Sequence, residues 1–251
     1  RGRLEFRNVT FSYENADEPA VKNISFTAEK GQTVAIIGST GSGKTTLLNL
    51  IPRFYDAQEG QILIDGIDHR EYDLKALRDK IGFAAQKAVL FAGSVADNIA
   101  YGLDNATREQ VEHAARIAQA EEFILDKIGG YDSPIEQGGQ NLSGGQKQRL
   151  SIARAIIRRP EFYLFDDSFS ALDFRTDLEL RRALAAETEN STVLIVAQRV
   201  STIMHADQIL VLERGELVGH GTHQELMRTC EIYREIVLSQ LSEQEATQNG
   251  R

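Results

Sequence analysis

Eight consecutive residues, Gly38-Ser39-Thr40-Gly41-Ser42-Gly43-Lys44-Thr45, fit the spacing G-x-x-x-x-G-K-[ST] at every fixed position. Three glycines allow successive backbone amides to turn inward around phosphate oxygens. A helix starting at Lys44 adds the positive end of its dipole. The Lys44 ammonium suits the outer phosphates, and the Thr45 hydroxyl suits Mg²⁺. This is chemistry for holding ATP with magnesium. No Asn-Lys-x-Asp base-reading motif occurs, which argues against GTP. A second metal residue should be an acid closing an apolar strand. Phe162-Tyr163-Leu164-Phe165-Asp166 supplies it, with Asp166 reaching the ion through its water shell. The plainer readings are a glycine-rich turn and an acid capping the next turn. The flanking strand and helix weigh against them.

These groups need elements to place them. The run Thr33–Ile37 is short and apolar, as a buried parallel strand would be. A helix is expected from Lys44 to Ile51, stopped by Pro52. Upstream, Leu4–Tyr13 and Val21–Phe26 read as strands of an antiparallel sheet. Gln61–Ile64 with Asp65-Gly66 reads as a strand and turn. A helix over Leu74–Lys80 and a strand over Ile81–Ala85 follow. Thr107-x-x-Gln110 is a capping box before a helix at Val111–Gln119. A long helix should begin near Gly144 and end before Pro160. Strands at Phe162–Phe165, Thr192–Ala197 and Gln208–Leu212, a helix at Thr176–Ala186 and two short C-terminal helices complete the pattern. Alternating strands and helices give an α/β fold with a parallel core sheet. The helical block between Gln86 and Pro160 reads as an insertion.

Composition narrows the class. The 251 residues are 41% hydrophobic and 26% charged, enough for one large domain or two small ones. The net charge of −9 argues weakly against nucleic acid as the main partner. One cysteine, Cys230, excludes an internal disulfide, fits a reducing compartment and reads as a small apolar residue. No apolar run approaches the ~18–20 residues that span a bilayer, and no secretory signal is visible. The chain begins at Arg1 rather than Met, which reads as a fragment of something longer.

The stretch Asn141-Leu142-Ser143-Gly144-Gly145-Gln146-Lys147-Gln148-Arg149 resembles the LSGGQ signature of ABC ATPases, followed by its basic helix. The resemblance runs from about Leu4 to Leu238. It implies a P-loop NTPase fold with a parallel core, an N-terminal antiparallel β-subdomain and an inserted α-helical signature subdomain. Residues 1–86 and 160–240 would form the core of a domain over 1–240, residues 87–159 the helical subdomain, and 241–251 a polar, frayed tail. By the resemblance, Ser143, Gly144, Gly145 and Gln146 complete the nucleotide site of a facing subunit. Thr46 adjoins the phosphates, and Gln86, the Q-loop glutamine, touches the Mg²⁺ shell. Ser170-Ala171-Leu172-Asp173 looks like the D-loop. Tyr13 stands where the family places an aromatic on adenine; taken alone it reads more readily as a core tyrosine. The segment Gln86–Ile99, with Leu90-Phe91-Ala92-Gly93-Ser94 and Asn98-Ile99, is similar to the exporter form of the Q-loop region, which meets membrane helices. So is Tyr131–Gln140, where the family pattern VGERG appears as Ile135-Glu136-Gln137-Gly138-Gly139. Read alone, these residues also suit a solvated face.

Two positions depart from the family. After the magnesium aspartate the family has glutamate, which polarises the attacking water; here it is Asp167, about 1.5 Å shorter in reach. The family's histidine is Gln198, which donates a hydrogen bond but carries no proton at neutral pH. Both changes fall on groups serving the water, whereas Gly38–Thr45, Gln86 and Asp166 are intact. The expectation is a site that holds ATP and hydrolyses it poorly, as in asymmetric heterodimeric exporters. The partner would be a second nucleotide-binding domain with glutamate and histidine restored. A transmembrane domain outside this chain would tether both to the cytoplasmic face of the cell membrane. A soluble ABC ATPase clamp and a regulatory ATP-binding module are the competing classes. Clamps carry coiled-coil insertions or tandem domains that this chain lacks.

Overall fold

A computed structural model describes residues 1–249. The chain opens with β1 (Leu4–Phe11), β2 (Val21–Ala28), β3 (Thr33–Gly38), α1 (Lys44–Leu50), β4 (Glu59–Ile64), β5 (Ile67–Asp68), α2 (Leu74–Asp79) and β6 (Ile81–Ala84). There follow β7 (Gly93–Ser94), α3 (Val95–Ile99), α4 (Arg108–Ile117), α5 (Glu121–Leu125), β8 (Pro134–Ile135), α6 (Gly144–Ile157), β9 (Phe162–Asp166) and α7 (Phe174–Glu187). The chain closes with β10 (Thr192–Val196), α8 (Val200–Ile203), β11 (Gln208–Glu213), β12 (Glu216–Gly221), α9 (His223–Thr229) and α10 (Glu231–Asn249). Two compact units result, Arg1–Asp73 with Leu194–Arg251, and Leu74–Val193.

The first unit holds the expected antiparallel sheet, in the order β2-β1-β4-β5. The alternation in β1 is imperfect for a physical reason. The register shifts between Phe6 and Val9, where Asn8 has φ 49°, so the chain bulges and keeps Phe6 and Val9 on the buried side. Phe6 stacks on Phe26 with centroids 4.7 Å apart. Asp65 and Gly66 both have positive φ, which suits a two-residue hairpin turn into β5.

The parallel part of this unit pairs β3 with β11, from Val34 opposite Gln208 to Gly38 opposite Leu212, with β12 antiparallel on the other side of β11. Val34, Ala35 and Ile36 are fully buried, as a strand covered on both faces requires. Ala35, Ile37, Ile209 and Val211 form a core with Val200, Ile203, Leu226, Tyr233 and Val237 from the three C-terminal helices. Cys230 is buried there as a small apolar residue, and a Cβ on Gly219 would stand 2.8 Å from its sulfur. The last helix departs from expectation. It runs 19 residues rather than being short, and it carries the polar tail in helical form to Asn249. Gly250 and Arg251 lie outside the described residues.

In the second unit β6 lies parallel to β9, from Ile81 opposite Phe162 to Ala84 opposite Phe165. All five β9 residues are buried. The expected capping box is present at α4: Thr107 Oγ1 accepts from the Gln110 amide at 3.2 Å and Gln110 Oε1 accepts from the Thr107 amide at 2.8 Å. Helix α6 buries Leu150, Ile152, Ala153 and Ile156 and stops before Pro160. Among the described residues no helix is long and apolar enough to cross a membrane.

Candidate functional site

The phosphate loop is shaped by contacts that only glycine permits. Gly43 has φ 102°, and a Cβ there would stand 2.4 Å from the Ala20 carbonyl oxygen. A Cβ on Gly38 would stand 2.2 Å from the Leu212 carbonyl oxygen and 2.6 Å from Ser42 Oγ. The loop is further tied by the Gly215 amide, which donates to the Ser42 carbonyl at 3.0 Å. Gly41, with φ 77° and open space around it, forms the outer turn. Lys44 Nζ folds across the loop, donating to the carbonyls of Gly38 at 2.7 Å and Ser39 at 2.9 Å. The α1 start thus presents a glycine cradle with one ammonium over it.

Other residues of the first unit gather at this loop. Gly38, Ser39, Thr40 and Lys44 line a cavity of about 480 Å³ with Gln198, Glu213 and one face of α10. The Gln198 side chain is exposed while its neighbour Val200 is buried. Tyr13 is 37% exposed, which decides against a core tyrosine. Its hydroxyl meets Thr46 Oγ1 at 2.7 Å, and Phe11 and Tyr55 meet it edge-on at 4.9 and 5.2 Å. An aromatic surface therefore flanks α1.

The second unit holds the acids and the signature helix. Asp166 ends β9 and is 3% exposed. Asp167 follows with φ 49°, a left-handed conformation that aspartate tolerates better than most residues. Gln86 Nε2 donates to Asp167 Oδ2 at 3.4 Å. The Asp167 carbonyl accepts from Ser170 Oγ at 3.0 Å, and Ser170 Oγ accepts from Gln148 Nε2 at 3.1 Å. Gln148 Oε1 accepts from the Ala171 amide at 2.9 Å, so α6 grips the turn after Asp167 at two points. Ser143 and Gln146 form a capping box, each side chain accepting from the other's amide at 3.1 Å. Gly145 packs where a Cβ would stand 2.9 Å from the Ala171 carbonyl, while Ser143 and Gly144 are exposed. Among the described residues no three of His, Cys, Asp and Glu converge into a cation cage.

The ABC transporter family model matches residues 21–170. The chain belongs to the ABC transporter family. It is 47% identical over 239 residues to the uncharacterized ABC transporter ATP-binding protein YfiB of Bacillus subtilis, covering 95% of this chain and 41% of that protein. It is 44% identical over 237 residues to an ATP-dependent lipid A-core flippase of Pasteurella multocida, covering 94% and 41%. The structure of a bacterial Atm1-family ABC exporter with ATP bound matches at TM-score 0.93 and 40% identity, covering 96% of this chain and 42% of that one. The chain thus spans about two-fifths of the length of these relatives.

In this ABC transporter chain the Phe91–Ile99 segment sits on a defined scaffold. Asn98 Oδ1 accepts from the Phe91 amide at 2.9 Å, and Asn98 Nδ2 donates to the carbonyls of Phe91 at 2.9 Å and Ser94 at 3.0 Å. Arg154 of α6 donates to the carbonyls of Asn98 and Val89, and its guanidinium sits 5.5 Å from the stacked Phe91 and Tyr101 rings. Burial pulls that guanidinium below its usual pKa. Phe91 and Tyr101 remain exposed. Gln148 lies inside the quoted signature stretch, but its grip on the turn carries no local sequence signal. Gln240, on α10, lies three positions after the buried Val237, on the core-facing side of the helix, and its sequence neighbours do not mark it as a site residue.

Proposed function

We propose that this chain binds ATP through Gly38–Thr45 and Thr46, with Tyr13 against the adenine, as the nucleotide-binding domain of an exporter. Thr45, Asp166 and Gln86 would hold Mg²⁺, which when bound supplies positive charge against the outer phosphates. The single observation that carries the reading is the glycine-locked loop, whose path at Gly38 and Gly43 excludes any side chain and over which the Lys44 ammonium lies. The flippase name and the ATP-bound exporter structure support the exporter class.

In this reading two such domains close on two ATP molecules, and Ser143–Gln146 serve the site of the facing domain. The exposed Ser143 and Gly144 at the start of α6 suit that role. The chain's own site hydrolyses weakly, because Asp167 falls about 1.5 Å short of a glutamate and Gln198 holds no titratable proton. The partner is a different subunit with glutamate and histidine at these positions, and both sit on the cytoplasmic face of a membrane through a transmembrane domain. The test mixes the chain with itself and with candidate partner domains and measures ATP turnover. Slow turnover alone and fast turnover in one mixed pair is expected. Turnover by the chain alone at the level of a family member with both groups intact would overturn the asymmetric part. ATP-driven dimerisation without any membrane partner would instead favour a regulatory module.

A further inference from the structure

The segment carrying Gln198 is held from a distance. Helix α8 has only four residues, and its N-cap Arg199 contributes no side-chain cap. Its first amide, on Val200, is therefore an orphan donor that needs an outside acceptor. Gln240 Oε1 accepts from it at 2.8 Å. The same carboxamide donates through Nε2 to the Gln198 carbonyl at 2.6 Å. One side chain thus brackets the Gln198–Val200 main chain from 40 and 42 residues away. The two partners are a backbone donor and a backbone acceptor, so the orientation of the amide is fixed by chemistry.

The bracket has a rigid base. Gln240 follows Tyr233 and Val237, both buried in the core of the first unit, at helical spacing on the same side of α10. The Gln198 side chain, two bonds beyond the bracketed carbonyl, lines the cavity that Lys44 and Ser39 also line. A glutamine at 198 has rotamer freedom to lose, so an anchored main chain limits the conformations from which it can reach the outermost phosphate.

We propose that Gln240 is a positioning residue, whose clamp on Gln198–Val200 lets α10 set how well the site distinguishes ATP from ADP. This rests on the ATP-binding reading above. Leucine at 240 keeps the shape and removes both hydrogen bonds. Glutamate keeps an acceptor for the Val200 amide but offers no donor to the Gln198 carbonyl.

The experiment measures amide hydrogen exchange at Val200, and ATP and ADP affinity by calorimetry, in the full chain. In Gln240→Leu, Val200 exchange should rise at least about tenfold, ATP affinity should fall about tenfold, and ADP affinity should stay within about twofold. Gln240 itself lines the cavity, so in Gln240→Glu Val200 should remain protected while ATP affinity falls at high salt as at low salt, which separates the lost tether on Gln198 both from general loosening of α10 and from repulsion by the new carboxylate. Unchanged Val200 exchange in Gln240→Leu would overturn the clamp. Parallel loss of ATP and ADP affinity in both variants would overturn the role in discrimination. If the unaltered chain bound neither nucleotide, the ATP-binding reading and discrimination would fall together; Val200 exchange would still judge the clamp.

Discussion

The phosphate loop and the Gln198 segment lie in the same unit and line the same cavity, yet they are held in opposite ways. The loop is shaped by steric exclusion: at Gly38 and Gly43 backbone atoms stand where a side chain would be. The Gln198 segment is shaped by attraction, through two hydrogen bonds from one distant carboxamide. Exclusion is local, stiff and hard to mutate gradually. Attraction from α10 can be weakened one bond at a time. The part that grips ATP in our reading is therefore built to be invariant, and the part that faces the outer phosphate is built to be adjustable.

The sharpest way to break this contrast is at the glycines. Gly43→Ala combines positive φ with a 2.4 Å approach to the Ala20 carbonyl and should cost about 3 kcal/mol in a denaturant melt. Gly41→Ala shares the positive φ but meets nothing, and should cost about 1 kcal/mol. Equal costs would mean that dihedral strain rather than close approach shapes the loop. Next in size, Lys44→Ala should lower ATP affinity roughly 100-fold in calorimetry, since it removes a charge-assisted bond, with stability lower by about 1 kcal/mol because its bonds to the Gly38 and Ser39 carbonyls are lost as well. A smaller effect is expected on the signature side. Gln148→Ala deletes both hydrogen bonds to the turn after Asp167 and should destabilise the second unit by about 1–2 kcal/mol, read as faster amide exchange at Ala171.

The same contrast explains what the sequence made legible. Exclusion leaves local marks, three glycines before a lysine and an apolar strand before a helix, and so does attraction over short range, with Thr107-x-x-Gln110 as a capping box. These were readable, as was the antiparallel start of the chain. Strand β12 was not, because Glu216–Gly221 mixes two glycines, a histidine and a glutamate and alternates only between exposed and half-buried positions. The length of α10 was missed because its last two turns hold a single apolar residue, Ala246, and so show no helical apolar period. The links from Gln86 to Asp167, from Tyr13 to Thr46 and from Gln240 to Gln198 join residues 81, 33 and 42 positions apart, so no local pattern encodes them.

We propose that this chain holds ATP well and hydrolyses it poorly because Asp167 and Gln198 stand where the family has glutamate and histidine. The most direct measurement is single-turnover hydrolysis of bound ATP at this site, with the partner domain present, for the chain and for Asp167→Glu with Gln198→His. The account predicts ATP affinity unchanged within about twofold and hydrolysis faster by about 100-fold in the double variant. An unmodified site that already hydrolyses as fast as the double variant would contradict it.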